Sequence, residues 1–127
     1  MGKTGAMVLA VAAAVLLSGA AFAGEIIGLA LPTQQEERWT RDLAAMREVA
    51  KELGIDLRVQ IARNDQMQQN NQVEQLLSQG IQVLIFAPHD CESAGVAVKS
   101  ARADGVKVIS YDRVITGCDY DLFTGFD

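Results

Sequence analysis

Three times in this chain a glycine followed by a β-branched residue closes one segment and opens an apolar run. The pairs are Gly54-Ile55, Gly80-Ile81 and Gly105-Val106, 26 and then 25 residues apart. Glycine ends helices because it accepts the left-handed C′ conformation without a Cβ penalty. The run after the second pair, I-Q-V-L-I-F-A over Ile81 to Ala87, reads as a strand buried on both faces. Strand–helix units of this length describe an α/β fold, a doubly wound parallel sheet with flanking helices. Right-handed crossovers then deliver the loop after every strand to one rim. Open α/β sheets bind ligands there, outside the carboxyl ends of the strands.

The segments between the glycines fill in the units. Glu25 to Leu31 is the first strand, and Pro32 to Glu37 breaks it and opens a helix. That helix carries Trp39, Leu43, Met46, Ala50 and Leu53 on one apolar stripe. Ile55 to Ala62 alternates with Asp56, Arg58 and Gln60, which predicts an edge strand. Asn64-Asp65 caps a second helix to Gln79, with Met67, Val73, Leu76 and Leu77 expected inward and its many Gln and Asn residues on a solvated face. Ile81 to Ala87 is the expected central strand, and Ser93 is the expected cap of a third helix to Asp104. Val106 to Arg113 (V-K-V-I-S-Y-D-R) is the fourth strand with its loop, and Leu122 to Phe126 is a short fifth.

The first 23 residues have a separate character. Lys3 precedes the almost wholly apolar run Ala6 to Ala21, and Ala21-Phe22-Ala23 supplies a small-x-small cleavage pattern, so residues 1–23 are expected to be a signal peptide cleaved before Gly24. The run falls short of the roughly 20 residues a membrane-spanning helix needs. The whole chain carries a formal charge of −5, and loss of Lys3 makes residues 24–127 more acidic still. An acidic surface without basic clusters excludes nucleic acid as an expected partner.

The three rim loops at Thr33–Arg38, Pro88–Glu92 and Tyr111–Arg113 hold the candidate functional residues. Asp112 and Arg113 offer acceptor oxygens beside a rigid fork of donors, the mixture a polyhydroxylated ligand needs. Arg38 lies in the first helical turn, where a cation is mildly unfavourable, which favours a ligand role. Trp39 offers a π face for the C–H face of a sugar ring, although the core also claims it through the apolar stripe. His89, the single histidine, lies on the rim without neighbours at metal-ligand spacing. No catalytic triad order, carboxylate pair, metal spacing or cofactor motif emerges, and the reading is of a binding protein, not an enzyme.

An export leader, then I-I-G-L-A-L-P-T with E-R-W, V-L-I-F-A-P, V-I-S-Y-D-R and F-T-G-F-D, resembles the periplasmic pentose- and hexose-binding proteins of ABC importers, in their xylose-binding and multiple-sugar-binding branch. The resemblance covers essentially all of residues 24–127 and implies the amino-terminal one of two lobes, a periplasmic-binding-protein-like type I lobe, left incomplete, with the sugar held between the lobes. It implies that Arg38 contacts the sugar, that Trp39 stacks on it and that Asp112 and Arg113 grip its hydroxyls, with His89 edging the cleft. The expected partners are a monosaccharide, xylose or a related aldose, and an ABC permease, with the complete protein a periplasmic monomer. Pro32-Thr33 stands where xylose binders carry an acidic pair, so the resemblance does not name the sugar.

Cys91 and Cys118 fall in loops after neighbouring strands of such a sheet, which makes a disulfide the expectation in an oxidising compartment and two separate thiols its alternative. Three rival functions share the fold. A nucleotide-binding enzyme needs a glycine-rich loop where P-T-Q-Q-E-E stands. A lactose-repressor-type regulator needs a helix-turn-helix in place of the leader. A sensor feeding a chemoreceptor or kinase is not separated from an importer component by these residues.

Overall fold

The computed structural model describes residues 24–125. The expected leader, its cleavage site and the last two residues lie outside that range. The elements are β1 (Ile26–Leu31), α1 (Glu37–Leu53), β2 (Asp56–Ile61), α2 (Gln66–Ser78), β3 (Val83–Phe86), α3 (Gly95–Ala103), β4 (Lys107–Tyr111) and β5 (Leu122–Thr124). All neighbouring strands run parallel in the order β2-β1-β3-β4-β5, with β3 in the middle and β2 at an edge. The strand order places α1 on one face and α2 with α3 on the other, as right-handed crossovers require. The fold is therefore the expected doubly wound sheet.

Gly54, Gly80 and Gly105 have φ of 70°, 79° and 75°, the left-handed stops anticipated from their spacing. Asp65 caps α2 by accepting the Gln68 N–H at 3.0 Å. Ser93 does not cap α3. Asp90 Oδ1 instead accepts the Ser93 N–H at 2.7 Å and starts the turn that leads into the helix.

One core lies beneath α2 and α3, where Val73, Leu76, Leu84, Phe86, Val98 and Val108 are fully buried. The other lies beneath α1 and joins Leu29, Leu31, Trp39, Leu43 and Ala87. Two expected core residues are outside it: Leu53 is 67 % exposed at the last turn of α1, and Met67 is 76 % exposed. The inward stripe of α2 is Gln66, Gln69, Val73 and Leu76, at spacings of three, four and three, which turns Met67 to water. The Gln-rich face is thus only partly solvated, since Gln69 is fully buried and Gln66 nearly so.

Candidate functional site

Four loops meet at the carboxyl rim, and each meeting is a side chain of one loop on another. Arg38 Nη2, at the start of α1, lies 2.7 Å from Asp112 Oδ1 after β4. Arg113 Nη1 donates to Pro88 O at 3.2 Å and His89 O at 3.1 Å, after β3. Asn64 Nδ2, after β2, donates to Gln35 Oε1 after β1 at 3.2 Å.

Asp112 is held in an unusual backbone. Its φ is +66°, and the Arg113 N–H donates back to Tyr111 O at 2.8 Å, the hydrogen bond of a γ-turn centred on Asp112. Its own N–H donates to Thr124 O of β5 at 2.7 Å, and Ser110 Oγ donates to Arg113 O at 2.5 Å. Left-handed non-glycine residues cost free energy and concentrate at functional sites. Three backbone-directed bonds therefore spread Asp112 and Arg113 to either side of one turn.

Arg38 sits over Trp39, its guanidinium carbon 4.4 Å from the ring centroid. Its Nη2 approaches Asp112 closely but off the N–H direction, so the contact is an ion pair without an aligned hydrogen bond. The Asp112 carboxylate against Nη2 is the main cause holding the Arg38 pKa above its ordinary value. Trp39 is 1 % exposed, and its ring belongs to the core under α1. The indole face expected to stack on a sugar is covered in this conformation, because the same helical spacing that starts the site also starts the apolar stripe.

The ring of Tyr111 meets that of Trp39 edge-on, at 6.4 Å between centroids and 64° between planes. Its hydroxyl donates to Asp42 Oδ2 at 2.8 Å. Burial first, and the Asp42 carboxylate second, push the Tyr111 pKa up to about 12. Sequence reasoning missed this pair. The signal was present in Asp42 itself, which is four residues past Arg38 on the same helix face.

His89 lies exposed on the rim and its backbone makes the contacts: the N–H donates to Gln69 Oε1 at 3.0 Å and the carbonyl accepts from Arg113. The expected Cys91–Cys118 bridge is not formed, and both are free thiols. Thr116 N donates to Cys91 O at 3.3 Å, but the Cys118 thiol packs against Gly95, where an added Cβ would lie 3.6 Å from Sγ. Among the described residues no group of three His, Cys, Asp or Glu side chains could hold a metal ion. A separate cleft of about 290 Å³ beneath α1 is lined only by apolar side chains, among them Ile27, Met46, Leu57 and Ile85, and offers a polar ligand nothing.

The family model of the periplasmic binding protein domain matches residues 27–127. The D-xylose-binding periplasmic protein of Escherichia coli is 34 % identical over 113 residues, which is 88 % of this chain and 34 % of that protein. Its counterpart in Haemophilus influenzae is 32 % identical over 123 residues, 96 % of this chain and 37 % of the relative. A carbohydrate transporter solute-binding protein from Chloroflexus aurantiacus, solved with D-glucose, superposes with a TM-score of 0.76 at 40 % identity, over 80 % of this chain and 30 % of that one. An ABC transporter solute-binding protein from Clostridium phytofermentans, with bound β-D-glucose, gives a TM-score of 0.78 at 33 % identity, over 81 % of this chain and 32 % of that one. The chain spans about a third of the length of these relatives. With its sheet order, its rim and these matches taken together, the chain belongs to the periplasmic binding protein family.

Proposed function

We propose that this chain is one lobe of an exported solute-binding protein that captures a monosaccharide for an ABC importer by reversible binding, without covalent chemistry. The observation that carries the reading is the left-handed turn at Asp112, which sets a carboxylate and two guanidinium groups at one rim. Each sugar hydroxyl both donates and accepts, so a rim with both functions suits it. Asp112 accepts hydroxyl protons, and Arg38 donates. Arg113 commits Nη1 to the loop carbonyls and offers Nε and Nη2 to the ligand. Stacking on Trp39 requires Arg38 to leave the indole first. The ligand is xylose or a related aldose, the partner is an ABC permease, and residues 1–23 direct the chain to the periplasm.

A single lobe leaves the far side of a bound sugar in water, so binding by this chain is weak. The test is a chemical-shift titration of the ¹⁵N-labelled chain with D-xylose, D-glucose and D-ribose, with ATP as the control. The expected result is saturable shifts at Arg38, Asp112 and Arg113 with at least one sugar. Shifts with ATP alone would sink the proposal. Asp112→Ala is expected to weaken the sugar response by about 2 kcal/mol, since Arg38 and the sugar hydroxyls lose a partner.

A further inference from the structure

Helix α2 carries a row of amides where an apolar stripe is expected. Gln69 is fully exclusive of solvent, and a buried amide is tolerated only when its donor and acceptor are both paired. Both are. Its Nε2 donates to Ala87 O at 2.8 Å, and its Oε1 accepts the His89 N–H at 3.0 Å. A carbonyl and the N–H two residues later are the groups one edge of a strand shows to its neighbour. The Gln69 side chain therefore acts as a peptide group of a neighbouring strand. It carries β3 onward beyond Ala87, whose N–H makes the last bond to β1, to Ala30 O at 3.0 Å.

The row continues along the helix. Gln66 Oε1 accepts the Asp90 N–H at 2.7 Å, and its Nε2 donates to Asn70 Oδ1 at 2.8 Å. Asn70 Nδ2 in turn donates to Ser93 O at 3.1 Å. The opposite side of the same loop is gripped by Arg113 through Pro88 O and His89 O. The loop is clamped between α2 amides and the guanidinium expected to meet the ligand.

We propose that Gln69, supported by Gln66 and Asn70, is a positioning residue for the binding rim, holding Pro88–Asp90 on the path from which the Pro88 and His89 carbonyls orient Arg113. The role in ligand capture rests on the sugar-binding function proposed above. The orientation of Arg113 does not.

Three ¹⁵N-labelled chains test this: the natural one, Gln69→Leu and Gln69→Glu. The readouts are amide exchange at His89 and Asp90, slowed rotation of the Arg113 guanidinium, and the D-glucose response. In Gln69→Leu the His89 and Asp90 protection is expected to fall at least about tenfold, with Arg113 released, while the Leu29 amide in β1 stays protected and reports an intact fold. In Gln69→Glu the neutral carboxyl reproduces the amide's donor and acceptor, and the carboxylate does not. Burial raises the pKa of that group, so protection and Arg113 order return as pH falls through it and are lost as pH rises. Neither the natural chain nor Gln69→Leu shows that profile, so it carries the test alone if the leucine variant does not fold.

Unchanged His89 and Asp90 protection in Gln69→Leu, or a flat pH profile in Gln69→Glu, overturns the proposal. A glucose response of equal strength in the natural chain and the leucine variant overturns its ligand-capture part. A natural chain that ignores every sugar, with the Arg113 effects intact, ends the sugar reading and leaves the positioning role standing.

Discussion

Ile85 and Phe86 are neighbours in β3 whose side chains leave opposite faces of the sheet, and they meet different surroundings. Phe86 is fully buried beneath α2 and α3, whereas Ile85 is only half-buried beside α1. Two helices cover one face of the sheet, and among the described residues α1 alone covers the other. The open apolar cleft borders Ile85, and Phe123 on β5 is 42 % exposed. Parallel strands owe their stability to apolar cover on both faces. The difference teaches that the sheet is held mainly from the α2–α3 side, the side whose α2 amides also hold the Pro88–Asp90 loop at the carboxyl rim.

The largest test of that contrast compares the two neighbours. Phe86→Ala is expected to lower stability by about 3–5 kcal/mol, through lost burial and the cavity left behind. Ile85→Ala is expected to cost about 1–2 kcal/mol, because part of its surface already meets water. Urea unfolding measures both, and equal losses would erase the distinction between the faces.

A smaller effect sharpens the α1 side. Tyr111→Phe is expected to cost about 1 kcal/mol near neutral pH by removing the bond to Asp42. The Tyr111 pKa is raised from 10.0 to about 12, so the folded state holds this proton more tightly than the unfolded chain. The associated stability is complete below pH 10 and is lost as pH rises toward about 12. Subtracting the pH profile of Tyr111→Phe from that of the natural chain is expected to isolate this fall. Parallel profiles would show that the phenol is not held as described.

The smallest effect belongs to the cysteines beside α3. Alkylation of the unreduced chain is expected to add two labels, and reductant is expected to leave Tm unchanged, because both thiols are free. Burial pushes the Cys118 thiol pKa up, so its label arrives slowly. A chain that accepts no label until reduced would restore the bridge.

Much of the architecture was legible from residue patterns. The glycine stops at 54, 80 and 105, the central Ile81–Ala87 run and the edge character of Asp56–Ile61 all rest on local chemistry, and they reappear in the sheet. The convergence of Arg38 with Asp112, and of Arg113 with Pro88 and His89, followed from the same topology. What stayed hidden depends on partners distant in the chain. Gln66 and Gln69 look like solvent-facing amides until the carbonyls and N–H groups of residues 87–90 are placed beside them. Met67 lost its expected place for that reason, since two amides took the inward stripe. Trp39 satisfied the site spacing and the core spacing at once, and only packing decided that Arg38 covers it.

The Gln69 clamp touches main-chain atoms alone, Ala87 O and His89 N. Every amino acid has a carbonyl and all but proline have an N–H, so the clamp is indifferent to which side chains those positions carry. The loop's path and its chemistry are therefore inherited separately. Substitutions at His89 can alter what the rim presents to a ligand while the α2 amides keep its shape. A scaffold built this way can change its selectivity one residue at a time without being refolded at each step.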